Sequence, residues 1–221
     1  HRNRFRREMM IEQFKKELIQ KLGEEKPAWN AHRKVMSHRQ PIEDLSMKIA
    51  NARKSAVLLL IYPHKKQLHT VFIKRPTYEG VHSGQIALPG GAEEEEDKSL
   101  LHTALREAEE ELAIHAKTTD VLGALSPLYV PPSNFLIEPC VAFQPERPIF
   151  QADVFEVAEV VECPLINLVG EDKLIDNQRV SSVNGKMLVK GFRLNYHLIW
   201  GATAMIIKEF AEILEQLDFE W

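Results

Sequence analysis

Cysteine is scarce in this sequence: Cys140 and Cys163 are the two in a chain of 221 residues. Two thiols cannot build a disulfide framework. Neither has a paired base or metal-ligand spacing, so both read as buried, inert side chains in a reducing compartment. Positive charge is not in excess either. Lys and Arg number 28 against 32 Asp and Glu, for a net charge of −4, and without a basic surplus a polynucleotide partner is disfavoured. No apolar run approaches the roughly 18 residues that span a bilayer, and no basic start followed by an apolar core marks a secretory leader. The closing residues, Asp218-Phe219-Glu220-Trp221, are not a Ser-Lys-Leu peroxisomal address. The expectation is a cytoplasmic protein with neither nucleic acid nor membrane as partner. The basic opening, Arg2, Arg4, Arg6 and Arg7, is read as a disordered leader in preference to an arm for an anionic ligand.

What is present is globular. The hydrophobic share of 44% and the charged share of 27% match soluble folded averages, and the length suits one core with terminal extensions. We divide the chain into a helical extension over residues 1–50 and a main domain over 51–221. Ile11, Phe14, Leu18, Ile19 and Leu22 recur at helical spacing before Gly23, which predicts a helix over residues 9–22. Residues 27–41 read as irregular. Residues 56–62 and 71–74 read as strands of a hairpin around Pro63-His64-Lys65-Lys66. Pro89-Gly90-Gly91 then breaks the pattern, and an apolar stripe of Leu100, Leu101, Ala104, Leu105, Ala108 and Leu112 predicts a helix over 98–114. Strands follow over 121–125 and 136–143, Asn184-Gly185 marks a hairpin between short strands, and a last helix is expected over 202–217. Strands interleaved with helices predict an α/β or α+β fold, a mixed sheet layered between helices.

The chemistry should lie where the glycine loop meets the helix over 98–114. Within Arg106-Glu107-Ala108-Glu109-Glu110-Glu111, Glu107, Glu110 and Glu111 are spaced i, i+3 and i+4 and share a face within about 100°. Glu109 points elsewhere. Three carboxylates on one patch repel unless a cation sits between their oxygens, and hard oxygen donors suit Mg²⁺ or Mn²⁺. Such an ion neutralises phosphate charge and orients water, the service that diphosphate hydrolysis requires. A solvated acidic helix face is the bland alternative.

Residues 91–114 end in Arg-Glu-Ala-Glu-Glu-Glu-Leu-Ala-Ile and resemble the Nudix box, whose pattern ends Arg-Glu-apolar-any-Glu-Glu-any-Gly-apolar. Ala113 stands where the family has Gly, so a left-handed helix exit would cost about 1–2 kcal/mol or give way to another geometry. The run from Gly91 to Arg106 is one residue longer than the general box, and Asp97 or Glu96 stands in for its upstream Glu. That extra residue is similar to the coenzyme A pyrophosphatase branch. So is the stretch over 75–91 at Arg75, His82, Gly84, Gln85, Pro89, Gly90 and Gly91, although Leu88 and Pro76 depart from it. The likeness to bacterial members continues through Pro131-Pro132-Ser133-Asn134-Phe135 and Ile199-Trp200-Gly201-Ala202-Thr203-Ala204-Met205.

The resemblance implies a Nudix-like α/β/α sandwich and a metal-dependent hydrolase of the diphosphate bond of coenzyme A or its derivatives. It implies Glu107 and Glu111 as principal metal ligands, Glu110 as third ligand or base, and the Gly90 carbonyl completing the shell. Arg106 would lock helix to loop. Arg75, His82, Gly84, Gln85, Ser133 and Asn134 would line the substrate pocket. A later-loop base is common in the family; Asp153, Glu156 and Glu159 are the candidates, with Glu156 carried forward and the spacing choosing none. The expected partner is a small coenzyme A-like nucleotide, and a homodimer stays open. Two other readings remain: a Nudix hydrolase of another nucleoside diphosphate derivative such as ADP-ribose, and a non-catalytic binding module, against which the retained carboxylates argue.

Overall fold

Alternating apolar side chains between Arg53 and His64 are buried on both faces, because this strand runs through the middle of the main sheet. Leu58, Leu60 and Tyr62 join one apolar cluster, whereas Leu59 and Ile61 join another across the sheet. Their alternation follows from the two-residue period of a strand. The computed structural model describes residues 2–38, 41–77, 82–182 and 185–219.

The helices are α1 (Arg2–Gly23), α2 (Ala28–Val35), the single turn α3 (Ser46–Ile49), α4 (Leu100–Leu112) and α5 (Gly201–Leu214). The main sheet holds β1 (Arg53–His64), β2 (Gln67–Lys74), β3 (Ile86–Ala87), β4 (Gly90–Ala92), β5 (Asp120–Ala124), β6 (Leu128–Val130), β7 (Phe135–Phe143) and β8 (Glu159–Pro164). Its path is β3-β2-β1-β7-β5, with β4 beside β1, β6 beside β7 and β8 beside β2. Only β1 and β7 run parallel among these pairs, so the sheet is mixed. A second sheet orders as β11-β10-β9, from β9 (Leu174–Ser182), β10 (Gly185–Leu194) and β11 (His197–Trp200). Ala104, Ala108 and Leu112 of α4 cover one face of β1; Phe14 and Leu18 of α1 and Phe210 and Leu214 of α5 belong to the cluster on the other. The result is the expected α/β/α layering.

The β1–β2 hairpin forms as its sequence suggests, with Lys65 at φ 46° and Lys66 at φ 67° in the turn. Other expectations need correction. The basic start is helical from Arg2, since no breaker separates it from Gly23. Ile19 is 47% exposed, so the buried stripe of α1 is narrower than its apolar count suggests. The segment expected to be irregular contains α2, whose Ala31, His32 and Val35 are buried. His32 Nε2 lies 3.0 Å from a Glu209 carboxylate oxygen on α5, and the other oxygen of that carboxylate accepts from the Ser126 hydroxyl at 2.6 Å. Polar residues on the inner face hid the helical period. Strands β6 and β8 were not anticipated, and β9 and β10 are 9 and 10 residues long instead of short. Asn184 lies outside the described residues; Gly185 faces Ser182 in the hairpin register.

The exit of α4 adopts the geometry that Gly would favour. Ala113 has φ 56° and ψ 37°; its amide donates to the Glu109 carbonyl at 2.8 Å, and the Ile114 amide donates to Ala108 at 3.2 Å. Buried Ile114 supplies the apolar contact that accompanies such an ending. Ala113→Gly should therefore raise stability by about 0.5–1 kcal/mol, the relief of left-handed strain less the added backbone entropy. A rise of a few degrees in Tm is the expected readout; an unchanged or lowered Tm would show that the left-handed Ala costs nothing here.

Candidate active site

The loop before α4 is tied to the helix by one guanidinium. Ser99 caps the helix, its hydroxyl accepting from the His102 amide at 3.2 Å. Arg106 sits two turns later and donates in two directions. Nε and Nη2 reach the two oxygens of Asp97, both at 3.0 Å, and Nη2 also reaches the Ala92 carbonyl at 3.0 Å. Nη1 reaches Glu107 at 3.0 Å and Glu110 at 3.1 Å. Asp97 is wholly shielded and also accepts from the Thr103 hydroxyl at 2.9 Å and the Glu94 amide at 3.0 Å. Of the two residues the sequence offered for the upstream acid, the structure places Asp97 against Arg106. Its carboxyl is held well below the usual range, chiefly by Arg106 and against the opposing effect of burial.

Three carboxylates converge beside this knot. Oxygens of Glu107, Glu111 and Glu156 all lie within 4.8 Å of one another. Glu107 packs against Gly91, where a Cβ would overlap its carboxylate, so only glycine leaves the room. Glu111 is buried, and one of its oxygens accepts from the Gly90 amide at 2.9 Å. Gly90 is held on β1 at φ 154°, with no space for a side chain above Ala56 and Val57. Glu156 arrives from residues 151–157, a turn hung on the end of α4. The Gln151 amide donates to Leu112 at 3.1 Å and the Asp153 amide to Glu111 at 2.9 Å. Asp153 Oδ1 in turn accepts from the amides of Phe155 at 2.8 Å and Glu156 at 3.2 Å.

The electrostatics are strained without a cation. Burial pushes the Glu111 carboxyl up to about 8, with Glu107 and Glu156 adding to the rise while the Gly90 amide and Arg75 oppose it. Burial also raises Glu107, against the pull of Arg106. Oxygen donors so close, so short of hydrogen-bond donors and framed by side-chain-free glycines form a set that could hold a small hard cation.

Other sequence candidates fall elsewhere. Glu110 stays outside the three-carboxylate group, half exposed on Arg106. Glu109 faces solvent and lies 3.0 Å from His115 Nδ1. Glu159 accepts from the Tyr196 hydroxyl at 2.6 Å and lies 3.0 Å from His197 Nε2, clasping the second sheet to β8. Arg75, Gly84 and Gln85 lie on the connection from β2 to β3, where the Arg75 amide donates to Gln85 at 3.0 Å and the Gly84 amide to Pro76 at 3.1 Å. His82 Nδ1 is 3.3 Å from Gln85 Oε1; residues 78–81 of the same stretch lie outside the described residues. Arg75 is close enough for its charge to act on Glu111. Asn134 is occupied locally, accepting from Tyr129 at 3.0 Å and donating to the Asn51 carbonyl at 3.2 Å, and the Ser133 hydroxyl points to Val130. The β1 register sets Asn134 beside Arg53, four residues from the Val57 that pairs with Gly90, a separation of roughly 13 Å. What sequence reasoning missed is the attachment of the 151–157 turn to α4. Asp153, two residues before Phe155, is the one local sign of it, as Asp commonly closes such turns.

The loop, the arginine knot and the carboxylate helix lie within a stretch that a family profile matches. The NUDIX domain profile matches residues 52–168. The uncharacterized Nudix hydrolase NudL of Yersinia enterocolitica is 37% identical over 167 residues, which cover 74% of this chain and 82% of that protein. This chain belongs to the Nudix hydrolase family. Nudix hydrolases act on nucleoside diphosphate derivatives and generally use divalent metals, with which the acidic group is compatible. Solved Nudix folds agree with the layering. The hydrolase RenU of M. smegmatis superposes with a TM-score of 0.53 at 14% identity, over 77% of this chain and 90% of that one. A MutT/nudix family protein of Enterococcus faecalis gives 0.52 at 18%, over 86% and 75%. The profile stops before β9, so the second sheet and α5 lie beyond the matched domain.

The Asp97–Arg106 pair gives the Nudix fold a defined acid response. A carboxyl whose folded value is depressed contributes stability that is present above its unfolded value and lost as pH falls toward the folded one. Wild-type protein should lose stability as pH drops below about 4, the unfolded value for Asp. Asp97→Asn should be less stable at pH 7 and show a shallower acid limb. Urea melts from pH 7 to 2.5 measure both, and parallel acid limbs in the two proteins would remove Asp97 from the account.

Proposed function

We propose that this Nudix hydrolase cleaves the diphosphate bond of coenzyme A or its derivatives, giving 3′,5′-ADP and 4′-phosphopantetheine or its acylated form. The observation that carries the reading is the Glu107–Glu111–Glu156 group on Gly90 and Gly91, adjoining a loop whose Arg75, His82, Gly84 and Gln85 resemble the coenzyme A signature. Glu107, Glu111, Glu156 and the Gly90 carbonyl would hold Mg²⁺ or Mn²⁺. Such an ion, when bound, offsets charge on the diphosphate and lowers the pKa of attacking water. The protein's own part is positioning. Arg106 fixes Glu107 and Glu110 relative to the loop, and Arg75 adds positive charge that acts on Glu111. Glu156 is the later-loop carboxylate best placed to orient water, since Asp153 is engaged in its turn and Glu159 in the β8 clasp. Residues 51–221 are read as the catalytic unit. Residues 1–50 then act as an extension whose α1 covers the sheet face opposite α4.

Purified protein with Mg²⁺ or Mn²⁺ should convert coenzyme A to the two products faster than it hydrolyses ADP-ribose, and excess chelator should abolish turnover without altering the circular dichroism spectrum. Faster ADP-ribose turnover would favour a different nucleoside diphosphate substrate. Glu107→Gln and Glu111→Gln should each cost roughly 10²–10³-fold in kcat, the scale of losing one preorganised electrostatic group. Glu109→Gln, on the exposed side of α4, should leave kcat within about twofold of wild type. Equal damage at Glu109 and Glu111 would show that the helix face does not decide which carboxylates act.

A further inference from the structure

The turn that carries Glu156 also holds out two large apolar side chains. Val154 is 79% exposed and Phe155 is 85% exposed, an unfavourable presentation to water for residues of their size. This is no loose loop. Amides of Asp153, Phe155, Glu156, Val157 and Ala158 are all engaged, the last donating to the Lys74 carbonyl at 2.8 Å. Val157 beneath them is buried and anchors the turn in the α4-side cluster. The fold therefore presents an apolar pair in a fixed place, Phe155 one residue and Val154 two residues before a carboxylate-bearing residue of the acidic group, the nearer at a Cα spacing of about 3.8 Å.

We propose that Val154 and Phe155 form an apolar shelf that reads the substituent next to the scissile diphosphate and so selects for a substrate whose non-nucleotide side begins with a branched aliphatic group. This rests on the coenzyme A reading above. In coenzyme A the carbon two bonds from the ester oxygen carries two methyl groups. In ADP-ribose and dinucleotides the same place is taken by a hydroxyl-bearing sugar ring, which an apolar surface gains little by covering. A diphosphate held at the three carboxylates would lie beside the turn that carries Glu156, with its ester substituent as the part nearest the apolar pair. The shelf thus supplies discrimination that the carboxylates cannot, because they contact the part of the molecule common to all these substrates.

The test compares kcat and KM for coenzyme A and for ADP-ribose, with Mg²⁺, in wild type, Phe155→Ser, Val154→Ser and Phe155→Leu. Both positions are exposed, so the variants should fold as wild type does, which circular dichroism and melting confirm. Each Ser variant should lower kcat/KM for coenzyme A about tenfold, the low end of what one methylene contact in an apolar pocket is worth, mainly through KM. ADP-ribose turnover should change less than twofold, and Phe155→Leu should keep most of the preference. Equal losses on both substrates, or none on either, would overturn the shelf while leaving coenzyme A hydrolysis by wild type intact. Conversion of a dimer to a monomer by the Ser substitutions, read by light scattering, would assign the pair to a second copy of this chain and overturn it as well. Absence of coenzyme A turnover in wild type would overturn the substrate reading first and the shelf with it.

Discussion

The Arg106 guanidinium has five N–H donors, and they face both ways across the junction between the glycine loop and α4. Two go to Asp97 and one to the Ala92 carbonyl on the loop side; Glu107 and Glu110 accept on the helix side. The planar fork makes this a fixed angle and not a tether. Because β4 is paired to β1 at Ala56 and Val57, the same guanidinium indirectly fixes α4 against the central strand. Everything the carboxylates can do depends on that registration. A Lys at this position could match the charge but not the simultaneous contacts in two directions.

Given that frame, the site is built by the removal of side chains as much as by their placement. Gly91 leaves space for the Glu107 carboxylate, and Gly90 lets its backbone approach β1 closely enough to offer an amide to Glu111. The outcome is a buried acid pushed up to about 8 beside two other carboxylates. Folding does not favour such a group by itself. It persists because the knot on one side and the apolar packing of Ala104, Ala108 and Leu112 on the other over-determine where the helix lies.

Much of this was legible in the sequence where one periodicity governed one element. The 3.6-residue spacing of α4 placed Glu107 and Glu111 on one face and Glu109 on another, and the structure has them so, although the shared face was read as exposed and Glu111 is buried. The apolar run of β1 and the apolar stripe of α5 were likewise readable from their own segments. Legibility failed where contacts come from distant chain. The register of α2 is set by His32 meeting Glu209 across 177 positions, a polar contact that an apolar period cannot report. Spacing on α4 likewise grouped Glu110 with Glu107 and Glu111, whereas the third carboxylate in space is Glu156, which no local pattern connects to the helix. Strand β8, with Glu at its start and middle and Pro at its end, carries too little apolar alternation to be read as the partner of β2.

The exit of α4 explains how that distant carboxylate is recruited. Every helix leaves its last carbonyls without an intrahelical partner. Here Ala113 turns left-handed immediately after Leu112, which stops the helix abruptly and leaves the Glu111 and Leu112 carbonyls to be satisfied from elsewhere. The Asp153 and Gln151 amides satisfy them, and Asp153 then folds its own side chain over the amides of Phe155 and Glu156. The residue whose carboxylate enters the acidic group is therefore also the residue whose carbonyl anchors the segment delivering the next one. Glu111 joins the two through its main chain and its side chain at once, so a change in how α4 ends would move Glu156 relative to Glu107 even with all three carboxylates retained. The left-handed residue after the helix thus belongs to the geometry of the site as much as to the stability of the helix.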